Sequence, residues 1–66
     1  MKIRMLKESE QPPWDLLLLA DPSRDLVSGY LDKGLCYVME SENGEKIGAI
    51  VLVPVNNHTI EIMNLA

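Results

Sequence analysis

Apolar and polar positions change rhythm several times along this chain, and each change marks an element. Lys2 to Lys7 (Lys-Ile-Arg-Met-Leu-Lys) partly alternates and reads as a first short strand. Glu8-Ser9-Glu10-Gln11-Pro12-Pro13 interrupts it, because two prolines stop regular pairing and the second suits the first turn of a helix. Trp14 to Ala20 follows as a short helix. Its four leucines are good helix formers set all round the axis, which predicts a largely buried element. Asp21-Pro22 restarts the chain, with Asp21 capping a second helix and Pro22 at its first position. On that helix Leu26, Val27, Tyr30 and Leu31 share one face, while Asp25, Ser28 and Asp32 take the other. Gly34, after Lys33, reads as a left-handed C-terminal stop.

The second half has the composition and period of strands. Leu35 to Ser41 is rich in strand formers, and Asn43-Gly44 signals a hairpin whose tight turn needs positive φ at both central positions. Lys46 to Val55 is the return strand. It is apolar on both faces, which predicts a place inside a sheet covered on both sides. Pro54 cannot donate to a ladder and marks a bulge or strand end. Asn56-Asn57 turns the chain again, and His58 to Ala66 is predicted to be a last, buried strand carrying one carboxylate, Glu61, among apolar neighbours. The order strand, helix, helix, strand, strand, strand predicts an α+β fold: two N-terminal helices packed on a mainly antiparallel sheet.

At 66 residues there is room for one domain at most. Chains of this size bury only about 60% of their unfolded surface, so stability must be completed by a partner, by self-association or by further sequence. The apolar fraction, 47%, excludes a disordered tail. Cys36 is the only cysteine and His58 the only histidine, which rules out a disulfide and falls short of a four-ligand zinc site. A net charge of −4 argues against a nucleic-acid surface. The Leu16-Leu17-Leu18-Leu19-Ala20 run is too short for a secretory signal or a membrane span, and with one unpaired cysteine this points to the cytoplasm.

Three stretches, in order and at these spacings, carry a family resemblance: Ile3-Arg4-Met5-Leu6; the hairpin Tyr37-Val38-Met39-Glu40, Asn43-Gly44 and Ile47-Gly48-Ala49-Ile50; and Ile60-Glu61-Ile62-Met63-Asn64-Leu65-Ala66. Together they resemble the N-terminal half of the GCN5-related N-acetyltransferase (GNAT) family, as its first to fourth strands. The resemblance implies an acyl-coenzyme A N-acyltransferase fold and transfer of an acetyl group from acetyl-coenzyme A to an amine-bearing substrate. It also implies that residues 1–66 form a single partial domain, expected to be inactive alone. The family's Gly-rich loop for the coenzyme A pyrophosphate and the later strands, which often carry a tyrosine that protonates the departing thiolate, are not among these residues.

Acetyl transfer to an amine needs a base, hydrogen-bond donors where charge develops on the thioester oxygen, and release of a thiolate. By resemblance Glu61 is the candidate base. Straight strand alternation sets it on one face with Thr59, Met63 and Leu65, opposite Ile60 and Ile62, where partial burial would make it a better base. Read without the family, it is a strand glutamate whose carboxylate reaches solvent. Asn64, Leu65 and Ala66 correspond to the place where the family's fourth strand bulges and frees backbone N–H groups, Leu65 for the acetyl oxygen and its neighbours for the pantetheine arm. Without the family they are an ordinary strand end. Trp14, Asp21 and Tyr30 read as an anchor, a cap and a packing residue, His58 as a solvated turn residue and Cys36 as a small buried side chain. A function of a different class also fits: a small non-catalytic module that dimerises or binds a partner through its open sheet edge.

Overall fold

The computed structural model describes Met1–Ala66. Its elements follow the predicted order: β1 (Lys2–Met5), α1 (Trp14–Ala20), α2 (Arg24–Lys33), β2 (Leu35–Glu40), β3 (Lys46–Asn56) and β4 (Thr59–Leu65). The four strands form one antiparallel sheet in the order β1-β2-β3-β4. Both helices lie on the same face of that sheet, because consecutive elements joined by short connections pack side by side. Leu17, Val27 and Tyr30 from the helices meet Cys36, Val38, Ala49 and Val51 from the strands to form the buried core. No helix is long and apolar enough to cross a membrane.

Several expectations shift, each for a local reason. β1 ends at Met5 rather than Lys7, because the Glu10 carboxylate turns back and accepts the Lys7 N–H at 3.2 Å. α1 is only partly buried: Leu17 is enclosed, but Leu19 faces solvent at 81% exposure. α2 is capped by Ser23, whose hydroxyl accepts the Leu26 N–H at 3.3 Å, and not by Asp21. The Asp21 carboxylate instead accepts the Ser23 N–H at 3.1 Å, a turn that sets the cap in place. On α2 Leu26 leaves the predicted apolar face and is exposed.

Gly34 is not left-handed; its φ of −124° is ordinary extended backbone. Close approach explains the glycine instead: a Cβ there would run into the Leu52 carbonyl oxygen and lie 2.9 Å from Val53 Cγ2. In the β2–β3 hairpin only Gly44 has positive φ, at +85°. The Gly44 N–H closes the turn onto the Ser41 carbonyl at 3.0 Å, so the loop is longer than the two-residue turn expected. The next turn lies at Asn57-His58, where the Asn56 side chain accepts the His58 N–H at 2.8 Å. Pro54 stays in β3 beside a register shift between Pro54 and Asn56, the predicted bulge.

Two burial expectations are overturned. β3 is covered on one face only, since both helices sit on the Ala49 and Val51 side. The opposite face leaves Ile3, Met5, Ile60, Ile62 and Leu65 exposed. β4 is likewise no buried strand: of its residues only Asn64 is enclosed.

At the end of the sheet near the hairpin, an ionic clip joins three strands to the β1–α1 loop. Arg4 holds Glu10 with two parallel bonds of 2.8 and 2.7 Å, and Glu40 through Nε at 2.9 Å. Lys46 adds a 2.9 Å contact to Glu10. Hydrogen bonds from Arg4 and Lys46 hold the Glu10 carboxyl well below the usual carboxylate range, and the hydrogen bond from Arg4 also lowers Glu40.

Two outcomes are expected. Gly34→Ala should lower unfolding stability in urea by about 1–3 kcal/mol, because the β-carbon meets rigid backbone. For the clip, a carboxyl lowered in the folded state stabilises above its unfolded value, and that contribution is lost as pH falls through the folded one. Stability should therefore decline as pH drops below about 4.5, the ordinary glutamate value. Glu10→Gln, followed by thermal unfolding against pH, should flatten this acid limb.

Candidate functional site

β4 is an edge strand, bonded on one side to β3 and free on the other. Its register carries an irregularity: Val51 pairs with Asn64 and Leu52 with Ile62, so Met63 is an extra residue. Such a bulge resets the strand's alternation. Glu61, opposite Val53, and Asn64, opposite Val51, point to the helix side. Leu65, opposite Ile50, turns to the bare face with Ile60 and Ile62. Straight alternation had placed Leu65 with Glu61, and the bulge separates them.

The bulge also decides which backbone groups are available. Ala66 and Ala49 exchange two hydrogen bonds, each 2.9 Å. In an antiparallel ladder, the residue next to such a pair directs its N–H and C=O the other way. The Leu65 N–H is thus turned away from β3, toward the free edge. The Ala66 N–H is engaged. Leu65 and Ala66 also line a shallow groove of about 240 Å³ on the bare face, with Ile3, Tyr37, Met39 and Ile50.

Glu61 is exposed, so the partial burial expected of it is absent. Asn64 is the opposite case, 4% exposed beneath the helices. Its Nδ2 donates to the Leu17 carbonyl at 3.0 Å and to the Tyr30 hydroxyl at 2.7 Å. The Tyr30 hydroxyl in turn donates to Asp21 Oδ2 at 3.4 Å. A carbonyl can only accept, which orients the amide with its nitrogen toward Leu17. The amide oxygen finds no donor within the chain. An unmet buried acceptor costs about 1–3 kcal/mol, against about 1 kcal/mol returned by each bond made. The two bonds offset that cost only in this inward orientation, and they connect β4, α1, α2 and the link between the helices.

Sequence reasoning noticed Asn64 only for its backbone and missed its side chain. A signal was present: it is the one polar residue in Ile62-Met63-Asn64-Leu65-Ala66. Tyr30 and Asp21 gain partners beyond the packing and capping roles expected of them. Trp14 is not enclosed in the core as expected but packs against it half-buried, with the Arg24 guanidinium 4.1 Å from the centre of its ring. Burial, and secondarily the Glu10 charge, push the Cys36 thiol up, which suits a packing residue and not a nucleophile. No group of three or more His, Cys, Asp or Glu side chains could hold a metal ion.

No protein-family model matches the chain. Its amino-acid sequence is 41% identical over 66 residues to the uncharacterized N-acetyltransferase YvbK of Bacillus subtilis (strain 168), covering all of this chain and 42% of that protein. Among solved structures it matches a GNAT family acetyltransferase from Elizabethkingia anophelis with acetyl-CoA bound, at a TM-score of 0.94 and 43% identity over 98% of this chain and 42% of that one. It also matches a Bacillus subtilis acetyltransferase in complex with CoA, at a TM-score of 0.86 and 42% identity over the same shares. The chain thus spans less than half the length of the relatives it matches.

The buried amide gives one expected outcome. Asn64→Asp keeps the shape but sets a carboxylate against the Leu17 carbonyl. Urea unfolding at neutral pH should show a loss of about 2 kcal/mol or more. Burial raises the new carboxyl in the folded state, so the deficit should shrink as pH falls through that raised value.

Proposed function

We propose that this chain, which matches the N-terminal part of GNAT family acetyltransferases in sequence and fold, forms the acetyl-donor-binding edge of an acetyl-coenzyme A-dependent N-acetyltransferase. The observation that carries the reading is the free edge of β4, where a bulge at Met63 precedes an outward-turned Leu65 N–H. An unpaired backbone donor, fixed by strand geometry, is what a developing oxyanion requires, because it needs no reorganisation as charge appears. The edge therefore fits acetyl-coenzyme A, which when bound supplies an activated thioester carbonyl.

In this reading the Leu65 N–H donates to the acetyl oxygen. Ala66 lies beside the pantetheine arm and contributes packing, since its own N–H is held by Ala49. Glu61 takes the proton that the acceptor amine must lose before it can attack. Four residues of strand separate Glu61 from Leu65, about 13 Å if fully extended. A carboxylate at that range acts through water, and the solvent exposure of Glu61 is compatible with such a relay. The pyrophosphate cradle and the group that protonates the thiolate belong, on this reading, to sequence outside residues 1–66, which would also cover the bare sheet face. The reduced Cys36 suits a cytoplasmic setting.

The same exposed edge and bare apolar face favour a second reading, a non-catalytic module that pairs through β4. Sedimentation separates the two: a stable dimer without affinity for acetyl-coenzyme A supports the module.

Glu61→Gln, in the complete protein that carries residues 1–66, should reduce turnover by about 10²-fold and remove the pH dependence contributed by the base. Turnover and a pH profile equal to those of the unaltered protein would eliminate Glu61 as the base.

A further inference from the structure

Within residues 1–66, apolar burial under the helices would by itself favour a different register for β4. Without the bulge, Met63, Asn64 and Leu65 would face Val51, Ile50 and Ala49. Met63 and Leu65 would then be buried under the helices, and Asn64 would be exposed. The observed register does the reverse: it encloses Asn64, at 4% exposure, and leaves Leu65 at 68%. A one-residue slip exchanges the two faces of a strand, so this is a choice between two discrete arrangements.

We propose that Asn64 is the residue that selects the bulged register, and that it thereby positions the Leu65 N–H; the catalytic consequence rests on the reading of Leu65 given above. In the slipped register Leu65 would pair with Ala49, and its N–H would enter the ladder. In the observed one Ala66 takes that place and the Leu65 N–H is free. The groups that hold Asn64 inward come from three places: the Leu17 carbonyl on α1, the Tyr30 hydroxyl on α2, and Asp21 between the helices, through Tyr30. None of these contacts survives if the side chain turns to the bare face. The two N–H bonds of one amide therefore tie the helix layer to the direction of a backbone donor at the next residue.

The experiment uses the complete protein carrying residues 1–66, with Asn64→Ala and Tyr30→Phe. Nuclear Overhauser contacts report the register, and amide exchange reports Leu65. In Asn64→Ala the cross-strand contacts of Leu65 should move from Ile50 to Ala49, and exchange of its N–H should slow by about tenfold or more as it becomes ladder-bonded. Tyr30→Phe keeps the ring in the core but removes one acceptor, and should populate the slipped register in part. It also carries the decision if Asn64→Ala does not fold. kcat should fall in step with the slipped fraction, while the acceptor KM changes little. Unchanged Leu65–Ile50 contacts and exchange in the folded variants overturn the proposal, whatever happens to turnover. A shifted register with unchanged kcat upholds Asn64 as the selector and sinks Leu65 as the acetyl-oxygen donor.

Discussion

Leu17, Val27 and Tyr30 are pressed against Val38, Ala49 and Val51, and the remaining structure is arranged around that single layer of contact. The layer is thin, and both helices are short, seven and ten residues. Isolated helices of that length are marginal in water, so they exist here because they have a sheet face to cover. Asn64 enters the same layer as its one buried polar side chain. Its amide has no place among aliphatic neighbours unless α1 and α2 offer acceptors, and both do. Packing and polar satisfaction thus constrain each other: the helices must sit where their acceptors meet Asn64, and Asn64 must face them.

The two ends of the sheet are secured by different physics. Near the hairpin, Arg4 gathers Glu10 and Glu40, and Lys46 joins Glu10, so charge replaces apolar area where the core runs out. At the other end Gly34 lets the start of β2 approach the Leu52 backbone closely, with no room for a side chain. Neither device covers the bare face, where Ile3, Met5, Ile60, Ile62 and Leu65 remain exposed.

Edge, bulge and helix layer form one functional unit on the proposed reading. An edge strand is a hazard because its backbone groups seek partners. The same unpaired groups are useful when the partner is a substrate carbonyl. The bulge at Met63 sets which N–H is offered, and the inward amide at the next position makes that choice discrete. Glu61, by contrast, is held by nothing but its place on the strand, which suits a group that exchanges protons with water.

Element order, the α1 boundaries and the α+β class were legible in the residues, because periodicity, prolines and the Asn43-Gly44 turn are local signals. The likeness to acetyltransferases was legible only through the resemblance of its stretches. Tertiary structure decided the rest. Which of Asp21 or Ser23 caps α2 depended on a turn and a tyrosine hydroxyl; why position 34 is glycine depended on a neighbouring strand; and one-sided coverage of β3 depended on where both helices lie. Above all, alternation along Ile60 to Leu65 assigned Leu65 to the face of Glu61, whereas the fold inserts Met63 as a bulge and buries Asn64 instead. A strand's own sequence carries its period, but the register in which it pairs depends on what the other elements offer its side chains. For Asn64 those offers come from residues 34 and 47 positions away.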